Sequence, residues 1–271
     1  MVMRTLATVA LLVLTASHAN AQWMKKPNPS VPRTRAGEAD LAAPAPKGLS
    51  GRPDLSGVWV ADTEPVPPEA GPSVEGDVGL PRYFINVAAD LEPGDVPLRP
   101  WAAELLEKRL ASDGRDDPVA RCKPTGVPEI LSVPLPYKIV QTSELIVILY
   151  EENSVFRQIF LDGREPVADP EPRSLGYSRG RWDGAELVVE TTGFSDQHWL
   201  DGMGHPLTTK LKVTERYRRV DAGHLEIRVT IDDPGAYTRP FGYTIKSTLV
   251  PSEDLLEYFC TDNEKDAQHY Q

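Results

Sequence analysis

From Tyr137 to Cys260 the chain is an almost unbroken series of short strand-forming runs, and this series limits the fold more than any other feature. Runs 138–142, 145–151 and 155–161 are rich in β-branched and aromatic residues and are separated by short polar breaks. The run LIVILY at 145–150 is apolar on both faces, so both must be sheltered. Asp162-Gly163 and Asp183-Gly184 are turn signals, and the second joins 177–182 to 186–192 as a hairpin. Runs 210–220, 225–232, 237–250 and 255–260 extend the series. So many consecutive antiparallel strands leave exposed edges unless the sheet closes. The expected class is mainly β, an antiparallel meander closing into a barrel.

The rest of the chain is organised around that barrel. Arg4, the apolar stretch 6–16 and Ala19-Asn20-Ala21 read as a cleavable export signal at 1–21, with Gln22 starting the mature chain. The apolar stretch is too short to span a bilayer. Residues 22–52 are Pro-rich with little to bury and read as a flexible tether. Residues 53–271 form the expected single domain. Pro100 suits a first helical turn, and a helix at 100–112 with Trp101, Leu105 and Leu106 on one face is expected to cover the sheet. The net charge of −11 repels phosphate backbones and anionic lipid, which argues against nucleic acid and membrane partners. The two cysteines, Cys122 and Cys260, are expected to form a disulfide in a periplasmic or secreted protein.

Strand order and the G-x-W-x-G hairpin Gly180-Arg181-Trp182-Asp183-Gly184 resemble the lipocalin-like (calycin) barrels over residues 137–261. The whole chain also resembles a group of exported bacterial proteins. That resemblance rests on Pro53-Asp54-Leu55-Ser56-Gly57-Val58-Trp59, on Leu187-Val188-Val189-Glu190-Thr191 followed by Gly193-Phe194, on Trp199-Leu200-Asp201 and on Glu215-Arg216-Tyr217. It implies export and a single domain, and no particular activity.

Two groups of residues carry candidate chemistry. The loop 193–208 (GFSDQHWLDGMGHPLT) concentrates Asp196, His198, Trp199, Asp201 and His205 in the one long break between the later strands. Short connections are usual in such a meander. The loop is expected to fold over one mouth of the barrel, with His198 or His205 moving a proton, Asp196 or Asp201 orienting it and Trp199 as an aromatic wall. The spacing of the histidines matches no zinc motif, so no metal is assigned. The competing view is a long turn whose aspartates cap its own backbone.

The second group comes from alternation. In 210–219 the odd positions place Glu215 between Val213 and Tyr217 on the apolar face. In the last strands Tyr237, Arg239, Phe241 and Tyr243 form one row. An inward Glu215 and an inward Arg239 need each other, either as a structural ion pair or as ligand anchors beside Tyr217, Tyr237 and Tyr243. No P-loop or dinucleotide fingerprint occurs, so no cofactor is expected. Gly176-Tyr177-Ser178-Arg179-Gly180 matches G-x-S-x-G, but a hairpin follows it where a nucleophile elbow needs a helix.

These features support a cofactor-independent lyase, isomerase or hydratase acting on a small, partly apolar molecule in a barrel pocket. The alternatives are a non-catalytic lipocalin-like carrier and an interaction protein that uses its acidic surface. An enzyme needs a loop histidine within hydrogen-bond reach of a carboxylate and directed into the cavity. A carrier needs only an apolar cavity, and an interaction protein would have a side-chain-filled barrel with no cavity.

Overall fold

The computed structural model describes residues 27–48, 50–64, 79–112, 114–166 and 168–261. The expected signal at 1–21, the start of the tether and the acidic end 262–271 lie outside the described residues. Nine strands close into a barrel in sequence order. They are β1 (Gly57–Ala61), β2 (Tyr137–Gln141), β3 (Leu145–Tyr150), β4 (Phe156–Phe160), β5 (Tyr177–Asp183), β6 (Glu186–Thr192), β7 (Lys212–Arg219), β8 (His224–Asp232) and β9 (Phe241–Leu249). Strand β1 pairs with both β2 and β9 and completes the ring. Outside the barrel lie the short α1 (Arg82–Ile85) and the longer α2 (Pro100–Ala111).

The barrel departs from the expected all-antiparallel meander at one seam. Strands β4 and β5 run parallel, and their ladder holds only Ile159 opposite Ser178 and Phe160 opposite Arg179. Parallel pairing needs a crossover, because the chain must return to its starting end. The Pro-rich connection 161–176 makes that return. Residues Phe156 to Gln158 pair with β3 on one side and have no partner strand toward β5.

Period-two alternation fills the interior. Val213, Glu215, Tyr217 and Arg219 of β7 are buried, as are Leu225, Ile227, Val229 and Ile231 of β8. Tyr243, Ile245, Ser247 and Leu249 continue the inward row on β9. Arg239 departs from expectation. It is exposed, in the turn before β9, and donates to the Asp95 carbonyl at 3.2 Å. The reason is Pro240, which has no N–H for the ladder, so β9 starts at Phe241.

The two ends of the barrel close differently. At the end where β7 runs into β8, Arg219 donates to the carbonyls of Asp54, Ser56, Asp221 and Ala222. Its guanidinium lies over the Trp59 ring, 4.9 Å from the centroid. Residues 27–48, expected as a flexible tether, are ordered against this end. The amides of Ala222 and Gly223 donate to the carbonyls of Ala43 and Leu41, both at 2.8 Å, and Val31 is buried. A segment without regular structure is held because its few apolar residues find seats and its backbone finds partners.

The opposite end is covered by the long insertions between β1 and β2 and between β6 and β7. Helix α2 lies across it. The Trp101 indole N–H donates to the Gly235 carbonyl at 3.0 Å, and Arg99 donates to the Pro234 carbonyl at 2.8 Å. The buried side of α2 runs through Ala102 and the half-buried Leu105, Leu106 and Arg109, while Trp101 is largely exposed. Tyr83 of α1 stacks on Tyr243 with ring centroids 4.4 Å apart.

Residues 255–260, expected as a final strand, form none. The free edge of β9 is already taken by β1, so no ladder is open to them. They run outside the barrel instead, where the Leu256 amide donates to Glu151 and the Cys260 amide to Asn153. The Cys122–Cys260 disulfide fixes their end. Among the described residues no helix is long and apolar enough to cross a membrane.

The partner of Glu215 is Arg157 of β4. Arg157 Nη1 donates to Glu215 Oε1 at 2.9 Å, and Nη2 donates to Oε2. Removing one member of a buried pair leaves an uncompensated charge, whereas removing both does not. Glu215→Gln alone is therefore expected to lower the unfolding free energy by about 3–5 kcal/mol. The double substitution Arg157→Leu with Glu215→Leu should recover much of that loss, as read by urea denaturation.

Candidate functional site

Titratable groups gather in two adjoining layers. The first is inside the barrel, around Arg157. Its Nε donates to Ser178 Oγ at 2.8 Å and its Nη2 to Thr191 Oγ1 at 2.7 Å, besides the two bonds to Glu215. Tyr217 donates its hydroxyl proton to Glu215 Oε1 at 2.7 Å. Four of the five N–H groups of the guanidinium are engaged, and a charge buried this deeply requires such partners. The Tyr150 hydroxyl makes no hydrogen bond of ordinary geometry. Burial pushes it up to about 12, against the pull of Arg157. With all its partners internal, this layer reads as the structural form of the Glu215 pairing.

The second layer is the loop between β6 and β7, folded over the covered end of the barrel. Phe194, Trp199, Leu200 and Leu207 are buried and anchor it. Asp201 organises its polar centre. Its Oδ1 accepts from the amides of Gly204 and His205 at 3.0 and 3.1 Å. Its Oδ2 accepts from the Val87 amide at 2.8 Å and lies 2.6 Å from His205 Nδ1. That contact places the imidazole proton on Nδ1, leaving Nε2 as the nitrogen able to take one. Gly204 has a φ of +91°, and a Cβ there would meet Arg109 Cδ at 3.0 Å. The close approach lets Arg109 Nη1 donate to the Gly204 carbonyl at 2.8 Å while its guanidinium covers Trp199 at 4.7 Å.

The remaining expected residues take separate positions. Asp196 is exposed and orients neither histidine by a hydrogen bond. His198 is buried beside the Phe194 ring and packs on Gly126, where a Cβ would overlap its Cδ2 at 2.2 Å. The backbone of Val127 and Ser195 lies close enough to favour its proton, yet neither ring nitrogen makes a hydrogen bond of ordinary geometry. Burial lowers its pKa to about 4, so the ring is neutral at physiological pH. Tyr237 donates to the Pro206 carbonyl at 2.9 Å, tying the loop to the turn before β9. Trp199 serves as a wall for Arg109. Arg239 takes no part.

One residue of this layer was not legible in the sequence. Glu129 is buried in the short 3-10 turn Glu129–Ser132, which packs against α1. Helix α1 in turn accepts the amides of Gly202 and Met203 on the carbonyls of Phe84 and Ile85. Burial holds the Glu129 carboxyl well above its usual range, and the charges of Asp201, Asp117 and Glu152 push it the same way. Tyr243 adjoins both layers. Its hydroxyl is buried without a hydrogen-bond partner. Burial raises it well above its ordinary value, and Asp201, Glu215 and Glu129 reinforce the shift.

Among the described residues no group of three or more His, Cys, Asp or Glu side chains converges to hold a metal ion. No protein-family model, curated protein or solved structure matches the chain.

The buried neutral His198 has a consequence for stability. Its folded value of about 4 lies below the unfolded value near 6.5. Between them the unfolded chain binds more protons, so stability rises with pH. The contribution is complete above pH ~6.5 and is lost as the pH falls toward ~4, to an extent of about 3 kcal/mol. His198→Phe should flatten that stretch of the pH–stability curve, as read by urea unfolding at intervals from pH 4 to 7. Glu129 has the opposite sign, since its raised value favours the fold at low pH. Glu129→Gln should reduce the loss of stability as the pH rises.

Proposed function

We propose that the protein is an exported acid–base enzyme of the lyase, isomerase or hydratase kind, acting on a small, partly apolar molecule at the covered end of the barrel. The observation that carries this reading is the buried His205 Nδ1–Asp201 Oδ2 contact of 2.6 Å. Asp201 is fixed by three backbone amides as well, so it sets both the tautomer and the direction of the ring. His205 Nε2 is then the base. Glu129, whose carboxyl burial and neighbouring carboxylates hold well above its usual range, is the complementary acid. The unpartnered Tyr243 hydroxyl supplies a contact for a polar substrate atom.

Proton transfer between such groups suffices for moving or adding across a double bond, so the chemistry calls for nothing beyond these side chains. The export signal at 1–21 fits the Cys122–Cys260 bridge, since such bonds persist in oxidising compartments. The carrier reading has less support. The inward rows are occupied by large side chains, among them Trp59, Tyr137, Tyr150 and Tyr217.

The test is a screen of small hydroxy, keto and unsaturated compounds in deuterated water, followed by NMR for carbon-bound proton exchange or for gain and loss of water. A compound turned over by the wild-type protein should lose about 10²–10⁴-fold in rate with His205→Ala and with Asp201→Asn. Both variants should retain the wild-type circular dichroism. Turnover that survives His205→Ala at the wild-type rate would refute the assignment. The structural alternative, a turn clamped by Asp201, would give loss of stability in both variants with no selective loss of rate.

A further inference from the structure

The outer face of the β4–β5 seam holds a cleft that the acid–base layer does not use. Its volume is about 550 Å³, within the range of small-molecule sites. It lies where β4 and β5 diverge below their short ladder, and the connection 161–176 forms its far wall. Its aromatic surfaces are Phe156, Phe160 and Tyr177, and its proline walls include Pro124 and Pro170. Phe156 is 60% exposed although it sits in a barrel strand. Alternation explains this: Arg157 and Ile159 take the inward positions, so Phe156 must face out.

The charge of this cleft is opposite to that of the protein. The chain carries a net charge of −11, yet four arginines and one glutamate line the cleft. Three of the arginines already have carboxylate partners. Arg157 is paired with Glu215 inside the wall, Arg164 with Asp162 at 2.5 Å, and Arg179 lies 3.7 Å from Glu190. Arg173 has none among the described residues. It is exposed, its backbone is fixed by a bond from its amide to the Gly193 carbonyl at 3.0 Å, and its guanidinium lies 4.8 Å over the Tyr177 ring. Stacking uses the face of a guanidinium and leaves its in-plane N–H fork open. That fork matches a carboxylate bidentately.

We propose that the cleft binds a small planar anion, an aromatic carboxylate, with its charge on Arg173 and its ring against Phe156 and Tyr177. Three features select this class. The open fork calls for an anion, the exposed Phe156 ring beside the half-buried Tyr177 calls for a flat apolar body, and the surrounding negative field disfavours polyanions. The site is independent of the acid–base reading, because none of His205, Asp201 and Glu129 lines it.

Calorimetric titration of the mature full-length chain with 2-naphthoate, and with its neutral amide, tests the proposal. Saturable binding of the acid is expected, with the amide at least ~10-fold weaker because the charge-assisted bonds are lost. Arg173→Gln should weaken the acid at least ~10-fold and leave the amide unchanged, while Phe156→Ala should weaken both. Both positions are exposed, and matching thermal unfolding curves will show that the variants are folded. Three results would overturn the proposal. One is no saturable binding of the acid below about 1 mM. The others are equal affinity for acid and amide, and binding that is indifferent to both substitutions.

Discussion

Arg157 closes the barrel at its weakest seam. The β4–β5 ladder holds only two residue pairs, far fewer than the neighbouring β5–β6 and β7–β8 ladders. Backbone hydrogen bonds alone therefore hold β4 and β5 together over a short stretch. Inside the barrel, Arg157 reaches from β4 to Ser178 on β5, Thr191 on β6 and Glu215 on β7. One side chain thus links four strands across the gap. The arrangement is costly to desolvate, and it is tolerable because Glu215 balances the charge and Ser178 and Thr191 take further N–H groups. The same divergence of β4 and β5 that makes the internal stitch necessary opens the cleft on the outer face. Seam and cleft are two sides of one topological choice, the parallel pairing forced by the 161–176 crossover.

The two ends of the barrel differ in chemistry because they are closed by different means. At one end a permanently charged guanidinium, Arg219, is satisfied by backbone carbonyls and stacked on Trp59. A guanidinium keeps its charge at any physiological pH, so this contact does not depend on protonation. At the other end the cover is made of loops and helix α2, and its polar contacts include the Asp201 carboxylate and the His205 imidazole besides Arg99, Trp101 and Arg109. A chain without regular structure must satisfy its amides with side chains, and Asp201 does this for Gly204, His205 and Val87. The carboxylate needed to order the loop is the same one that orients His205. Structural and chemical roles therefore coincide in one residue, and a titratable cluster follows from the way this end is built.

How much of this was legible depends on periodicity. In β7 and β8 each inward apolar residue confirms the next, so the buried position of Glu215 follows from Val213 and Tyr217. The same rule fails where the period is interrupted. The expected row through Tyr237 and Arg239 assumed a strand across Pro240, and the ladder begins only after it. Arg157 carried the same signal as Glu215, two positions before the inward Ile159, but the bulky Phe156 and Phe160 on the other face masked it. Glu129 had no periodic signal at all. It lies in a Pro-rich stretch whose conformation is set by the surfaces it covers. Within the 193–208 loop, composition located the polar centre, but it could not choose between Asp196 and Asp201. That choice rests on Val87, more than a hundred residues away in sequence.

The stretch from Pro124 to Ser132 joins these features. Pro124 lines the cleft, and the Val127 amide donates to the carbonyl of Ser174, another cleft residue, at 3.1 Å. Gly126 supports the ring of His198, and Glu129 closes the stretch beside α1. One short piece of chain is thus the wall of the outer cleft, the seat of a buried neutral histidine and the carrier of a buried acid. Its position is over-determined. The Cys122–Cys260 bridge holds one side, Thr125 bonds Glu152 through its amide and its hydroxyl, and the Glu129–Ser132 turn is wedged against α1. Over-determination of this kind lets a protein keep an uncharged imidazole and a carboxyl of raised pKa buried together. Relaxation that would admit water to either group has to move the disulfide, the barrel wall or α1 with it.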